Sequence, residues 1–280
     1  MAENATLSGF LRHIRDCQNA RLPGERLPFR LGEAQVGWVR PALVAALAVF
    51  PPVRSGADGV RLDAPEDLPD IAQTLSEAGH YRWRNEAFDV RAKPDGPVLA
   101  RIDRGAIPSF GILSVGVHAN GLVRRPDGLH LWIGRRAAHK ALDPNKLDHI
   151  VAGGVPAGLS PEQTLEKEGG EEAAVPPALI RQARRVGWIG YAMERPEGLR
   201  RDCLICYDLD VPEGFVPHPN DDEVAAFELW PIRRVLEAVR DTDEFKFNVN
   251  LVLIDLFLRE GLIAGPEGAA LRAALEQGSV

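Results

Sequence analysis

Three carboxylates, Glu168, Glu171 and Glu172, occupy positions i, i+3 and i+4 of one short stretch. At about 100° per residue those positions share a narrow face of a helix. Like charges at that spacing repel. The face must either lie in water or hold a cation, and hard divalent ions such as Mg2+ and Ca2+ prefer carboxylate oxygen. Upstream lie Gly153 and Gly154, where backbone without side chains can bring N–H groups up to phosphate oxygens. An acidic helix behind a glycine loop can hold a metal ion and a diphosphate together.

The helix that must position these acids is marked locally. Ser160 suits the N-cap, Pro161 the first helical position, and Gln163 completes an S-x-x-Q capping box, while Pro176 bounds the far end. Gly169 and Gly170 each cost about 1 kcal/mol relative to Ala in a helix interior, so propensity alone does not select this helix. Arg135, Arg136 and Lys140 lie at the end of an expected strand shortly before the glycine loop, and Lys146 leads into it. Such a basic cluster is either a solvated edge or a set of cations for the phosphates that the metal also holds.

Residues 153–175, GGVPAGLSPEQTLEKEGGEEAAV, resemble the Nudix box, G-x5-E-x7-R-E-U-x-E-E-x-G-U with U apolar, without a gap. Gly153, Glu168, Glu171, Glu172 and Val175 agree with it, and Lys167 replaces the Arg. Leu159 stands where the first Glu is expected, Gly169 replaces an apolar residue and Ala174 replaces the last Gly. The resemblance implies Mg2+, or Mn2+, held by Glu168, Glu171 and Glu172 and bridging a diphosphate that water attacks. By motif position Glu168 would also help to activate the water, and Glu223 falls where many such enzymes carry a further acid. Glu223 equally suits a surface position at a strand edge. The substrate-binding set expected beside the acids is Arg135, Arg136, Lys146, Gly153 and Gly154.

Composition narrows the partners. The chain has 280 residues, 45% hydrophobic and 26% charged, which is ordinary for a globular protein of one or two domains. A net charge of −7 provides no broad basic footprint, so a nucleic acid is not the expected partner. The start, MAENATLSGFLRHIRDC, lacks the basic and apolar run of a signal peptide, and the apolar stretch 42–50 is too short to span a bilayer. Three cysteines suit a reducing compartment. A cytoplasmic protein acting on a small diphosphate is expected, and a homodimer is allowed. Cys203 and Cys206 fall in a strand-like run that points them to opposite faces, so structural thiols are expected there.

Along the chain, helices are expected over 5–18, 41–49 and 65–78, a short strand over 59–62, and a hairpin of 81–92 with 98–102. After a boundary near 104–109 come strands over 111–124 and 129–136, the loop and acidic helix, a short helix over 177–184, strands over 186–193, 200–209 and 224–230, and helices from 231, 248 and 266. That order is similar to the Nudix α/β/α sandwich with a mixed sheet. The expected organisation is an α/β extension over 1–104, a Nudix domain over 105–245 and C-terminal helices over 246–280. Trp132, Trp188 and Tyr191 are candidates for stacking on a substrate ring, although strand aromatics commonly belong to a core.

A narrower resemblance lies in the strings LDHIVAGGVPAGLS (147–160) and FKFN (245–248). With the long N-terminal extension they look like the Nudix proteins related to the N-terminal part of certain fungal thiamine pyrophosphokinases. That resemblance implies thiamine diphosphate or an oxidised analogue, cleaved to the monophosphate, and makes Leu159 a subfamily trait. Two alternatives stay open: a Nudix-fold binding or regulatory module, motivated by Leu159, Gly169, Gly170 and Ala174, and an isoprenoid diphosphate isomerase, for which none of Cys17, Cys203 or Cys206 is obviously placed.

Overall fold

The structure is a computed structural model that describes residues 5–278; the first four residues of the stretch read for a leader lie outside it. Helix α1 (Ala5–Cys17) buries Phe10 and Ile14 on its expected apolar face. Strands β1 (Leu27–Leu31) and β2 (Ala34–Val39) follow, where the sequence suggests only a proline-bounded loop. Pro28 is tolerated because the parallel pairing of β1 begins one residue later, at Phe29. A register shift between Phe29 and Arg30 also breaks the alternation by which a strand is recognised.

Helix α2 (Pro41–Leu47) precedes β3 (Val53–Gly56) and β4 (Gly59–Leu62), which complete a sheet of order β2-β1-β4-β3. Helix α3 (Leu68–Glu77) packs Leu68, Ile71 and Leu75 into the same core. A separate hairpin pairs β5 (Ala87–Val90) with β6 (Ala100–Asp103). It is shorter than expected because the Arg84 and Glu86 N–H groups donate to the Asp103 carboxylate, at 2.9 and 3.0 Å, instead of to a ladder.

After the short helix α4 (Ile107–Phe110) comes a seven-stranded sheet. Its strands are β7 (Leu113–Arg125), β8 (Gly128–Arg136), β9 (Leu147–Asp148), β10 (Val151–Gly154), β11 (Arg184–Arg195), β12 (Gly198–Asp210) and β13 (Val224–Pro231). Strands β7 and β12 run parallel, whereas β11–β12, β7–β8, β8–β13 and β7–β10 are antiparallel, so the sheet is mixed. Helices α5 (Pro161–Ala173) and α6 (Pro177–Ile180) cover one face, through Leu165, Ala173 and Ile180 against Val117, Ala119 and Val151. Helices α7 (Ile232–Asp241), α8 (Val249–Arg259) and α9 (Gly265–Glu276) cover the other.

The result is an α/β/α sandwich preceded by a smaller α/β unit. In α8, Leu251, Val252, Leu253, Ile254, Leu256 and Phe257 are all fully buried, each side chain contributing roughly 1.5–3 kcal/mol. Phe10 and Ile14 of α1 belong to this same layer, so the first helix packs with the last ones. Cys17, Cys203 and Cys206 are free and buried. Burial pushes the Cys203 thiol up to about 11 and raises the other two further, which suits inert core residues. No helix among the described residues is long and apolar enough to cross a membrane.

Candidate metal and diphosphate site

The acidic helix α5 begins with the expected capping box: Gln163 N–H donates to Ser160 Oγ at 3.1 Å, and Ser160 N–H to Gln163 Oε1 at 2.8 Å. Tyr207 of β12 donates to Glu162 at 3.0 Å, and Arg181 makes two bonds to Glu166, of 2.9 and 2.6 Å. These contacts fix the helix from outside its acidic face. A Cβ on Gly169 would lie 3.1 Å from Ile180 Cγ1, so Ile180 fills the space that an apolar residue would take. Ala174 ends the helix in the left-handed region, φ 51°, where the motif expects glycine.

Glu172 is buried, and its Oε2 accepts the Ala152 N–H at 3.0 Å. Burial pushes its carboxyl well above the usual range, the Ala152 N–H offsets this only in part, and the charges of Asp148, Glu168 and Glu223 push the same way. Glu168 lies against Gly153: a Cβ there would stand 2.6 Å from Glu168 Cγ. Its carboxyl is also raised, chiefly by burial, with Lys167 opposing and Glu171 and Glu223 adding. Glu171 is half exposed and pairs with Lys167 at 2.6 Å, which also lies 3.3 Å from Glu168. Lys167 therefore serves the glutamates beside it, with Leu159 offering no carboxylate.

Glu223, just before β13, is held by Lys140. Burial alone would raise its carboxyl, but the Lys140 contact and charge, helped by Arg104 and Arg136, hold it below the ordinary value. The charge of Glu223 thus pushes in the same direction as burial on both Glu168 and Glu172. Glu172 makes no ion pair among the described residues, and the buried Lys246 feels its charge. A hard divalent cation fits this donor set, because buried carboxylates that raise one another are what such an ion neutralises.

A second group, His118, Asp148 and His149, brings its donor atoms within 4.8 Å of one another. Its chemistry argues against a metal. The two Nδ1 atoms are 3.0 Å apart, a hydrogen bond between rings, and Asp148 already faces Arg136 at 2.9 Å and Lys246 at 3.5 Å. An added cation there would meet two others.

The expected substrate cations are placed differently. Arg136 donates to Asp148, to the Leu142 carbonyl at 2.9 Å and to the Asp143 carbonyl at 3.1 Å, so it pins the loop after β8. Arg135 donates to the Asn145 carbonyl at 3.1 Å and lies 3.8 Å from Glu228. Lys146 donates to the Asp243 carbonyl and lines a different cleft, with His13, Asp16 and Cys17. Carbonyls and carboxylates of the fold thus take up part of the donor capacity of all three. Gly153 and Gly154 are paired to β7, and both are needed for clearance, Gly153 for Glu168 and Gly154 for Phe88. Of the candidate stacking aromatics, Tyr191 is fully buried with its hydroxyl on Asp202, Trp132 is in the core, and Trp188 is 54% exposed.

Residues 115–249 match the family model of the NUDIX domain, and residues 9–114 match a domain of unknown function, DUF4743. The chain is 36% identical over 280 residues to the chloroplastic Nudix hydrolase 20 of Arabidopsis thaliana, covering 93% of this chain and 75% of that protein. The chain belongs to the Nudix hydrolase family. The chloroplastic Nudix hydrolase 24 of the same plant is 35% identical over 273 residues, again covering 93% and 75%. Among solved structures, DR0079 of Deinococcus radiodurans is 23% identical and covers 60% of this chain and 97% of its own, with a TM-score of 0.45.

In this Nudix hydrolase the two flanking strings noted in the sequence touch. Leu147 N–H donates to the Glu244 carbonyl at 2.8 Å, Lys246 N–H donates to the Leu147 carbonyl at 2.9 Å, and Leu147 bridges Phe245 in parallel. The N-terminal unit also reaches the Nudix box. Phe88 seats on Gly154, whose Cβ would lie 2.7 Å from Phe88 Cζ, and Ala157 N–H donates to the Ala87 carbonyl at 2.8 Å. Gly158 N–H adds a bond of 3.3 Å to Asp89. Sequence reading missed Phe88, Asp148 and Lys246; only the last two carried a signal, in the strings LDHIV and FKFN.

Proposed function

We propose that this Nudix hydrolase cleaves a small diphosphate in a reaction dependent on a divalent cation, Mg2+ or Mn2+. The observation that carries the reading is that Glu168 and Glu172 both stand against β10, Glu168 at Gly153 and Glu172 at the Ala152 N–H, with Glu172 buried and making no ion pair among the described residues. Glu168, Glu171 and Glu172 would hold the cation. When bound, it would neutralise phosphate charge and make a coordinated water more acidic. Glu168, raised by burial, is the residue suited to take a proton from the attacking water, and Glu223, whose charge acts on Glu168, is proposed as a second acid. Lys140 and Lys167 keep Glu223 and Glu171 oriented.

The substrate proposed is thiamine diphosphate or an oxidised analogue, released as the monophosphate. Its support is the pair of strings at 147–160 and 245–248, which pack on each other beside the box. The proposed division is an N-terminal extension over 1–104, the hydrolase domain over 105–245 and C-terminal helices over 246–280. A cytoplasmic location belongs to the same reading and is supported by the free, buried thiols.

A panel of thiamine-type, nucleoside and sugar diphosphates, incubated with Mg2+ and analysed by product mass, tests it. The expected result is a monophosphate from the thiamine-type compounds and loss of turnover on adding EDTA. Rapid turnover of a nucleotide with inert thiamine compounds would remove the substrate assignment, and turnover unaffected by EDTA would remove the metal.

A further inference from the structure

We infer that the site is composite, with Arg104 of the N-terminal unit binding the substrate's diphosphate. This inference rests on the proposed diphosphate chemistry. Its starting point is a deficit. Glu168, Glu171 and Glu172 would hold the metal, yet Arg136 is bonded to three groups of the fold, Lys146 lines another cleft, and Arg135 bonds the Asn145 carbonyl and faces Glu228. A diphosphate entering this acidic setting needs a cation from elsewhere.

The N-terminal hairpin supplies one and holds it in place. Phe88, seated on Gly154, also carries the Arg104 guanidinium over its ring, 5.7 Å from the centroid. Glu86 holds Arg104 from the side, at 2.9 Å, and the Glu86 carbonyl accepts the Arg104 N–H at 2.8 Å. The corner just before it is rigid, because the buried Asp103 carboxylate accepts the N–H groups of Arg84, Glu86 and Gly105, the last at 2.8 Å. The side chain of Arg104 remains 52% exposed and so accessible to a ligand. Through Phe88 it is set beside Gly154 of the Nudix box, and its charge is among those that lower the Glu223 carboxyl.

Glu86 and Phe88 use one edge and one face of the guanidinium. A planar group with five donors has others left for phosphate oxygens, in the forked geometry that suits them. Arg101 flanks the same loop, its Nη2 standing 3.7 Å from where a Cβ on Gly158 would be. It is tied to Asp89 at 3.5 Å, whereas Arg104 is fixed over the ring of Phe88, which itself packs on Gly154 of the box, and that makes Arg104 the stronger candidate.

The test compares wild type with Arg104→Gln, Arg104→Lys and a control, Arg54→Gln, which lies on β3 and pairs with Asp63. Two readouts are needed: steady-state kinetics on the best diphosphate with Mg2+, and calorimetric binding of methylenediphosphonate, which cannot be hydrolysed, with Mg2+. Arg104→Gln should raise KM and weaken methylenediphosphonate binding by about 10-fold or more, with kcat changed far less, and Arg104→Lys should recover part of the loss. The control should match wild type. Unchanged binding and KM in Arg104→Gln, with wild type active, overturns the role of Arg104 alone. A wild type that neither binds methylenediphosphonate nor cleaves any diphosphate overturns the underlying reading and this inference with it.

Discussion

Gly153 sets where Glu168 can stand. A methyl group at that position would lie 2.6 Å from Glu168 Cγ and 2.7 Å from Cδ, so the carboxylate must swing away. Gly153→Ala is therefore expected to lower turnover by about tenfold or more, since misplacing a catalytic group by about 1 Å is that damaging, while the fold stays intact. Wild-type turnover in a variant with normal circular dichroism would contradict this role. The spacing of Gly153, Glu168, Glu171 and Glu172 could be read from the chain because the motif is local. The partners of Arg135, Arg136 and Lys146 could not, since Asn145, Asp148 and Asp243 reach them only through the folding of the loop after β8 and the segment before α8.

Helix α5 shows the same division at the level of elements. Its start is written in Ser160, Pro161 and Gln163, all of which act within four residues, and it forms as expected. Its end is less favourable: Ala174 adopts φ 51°, which costs a residue with a side chain roughly 1–2 kcal/mol that glycine avoids. Ala174→Gly should accordingly stabilise the protein by about 1 kcal/mol, read as a higher urea midpoint at unchanged slope. A lower midpoint would contradict this account of the helix end. Strands β1, β2 and β10 were hard to read for the opposite reason. They are short: β1 and β2 form a hairpin whose alternation is broken by a register shift, and β10 pairs with β7, far back along the chain. Lys246 and Asp148 are in the same position, meeting across about a hundred residues.

At the scale of the molecule, the three layers bury two histidines as neutral rings beneath the site. His149 is held down to about 4 by burial, with Asp148 opposing, and His118 is lowered in the same direction by burial and by His149. The unfolded chain, with histidine near its ordinary value of about 6.5, takes up protons first. Stability present above pH ~6.5 is therefore lost as pH falls toward about 4, with a slope approaching ~1.4 kcal/mol per pH unit for each ring that stays neutral. His149→Gln should flatten that slope relative to wild type when unfolding free energy is measured by urea at several pH values. Parallel slopes would show that the ring does not contribute.

The sandwich sets one acidic helix face against β10, and the N-terminal hairpin packs on the loop that leads into that helix, so the central claim is that this face performs cation-dependent diphosphate chemistry. Its most direct test is kcat/KM of Glu172→Gln against wild type on the best diphosphate with saturating Mg2+, with thermal melts confirming that both are folded. A fall of about 10²-fold or more is predicted, as expected when a group that positions charge at the reacting phosphate is removed. A folded Glu172→Gln protein with wild-type kcat/KM would contradict the account.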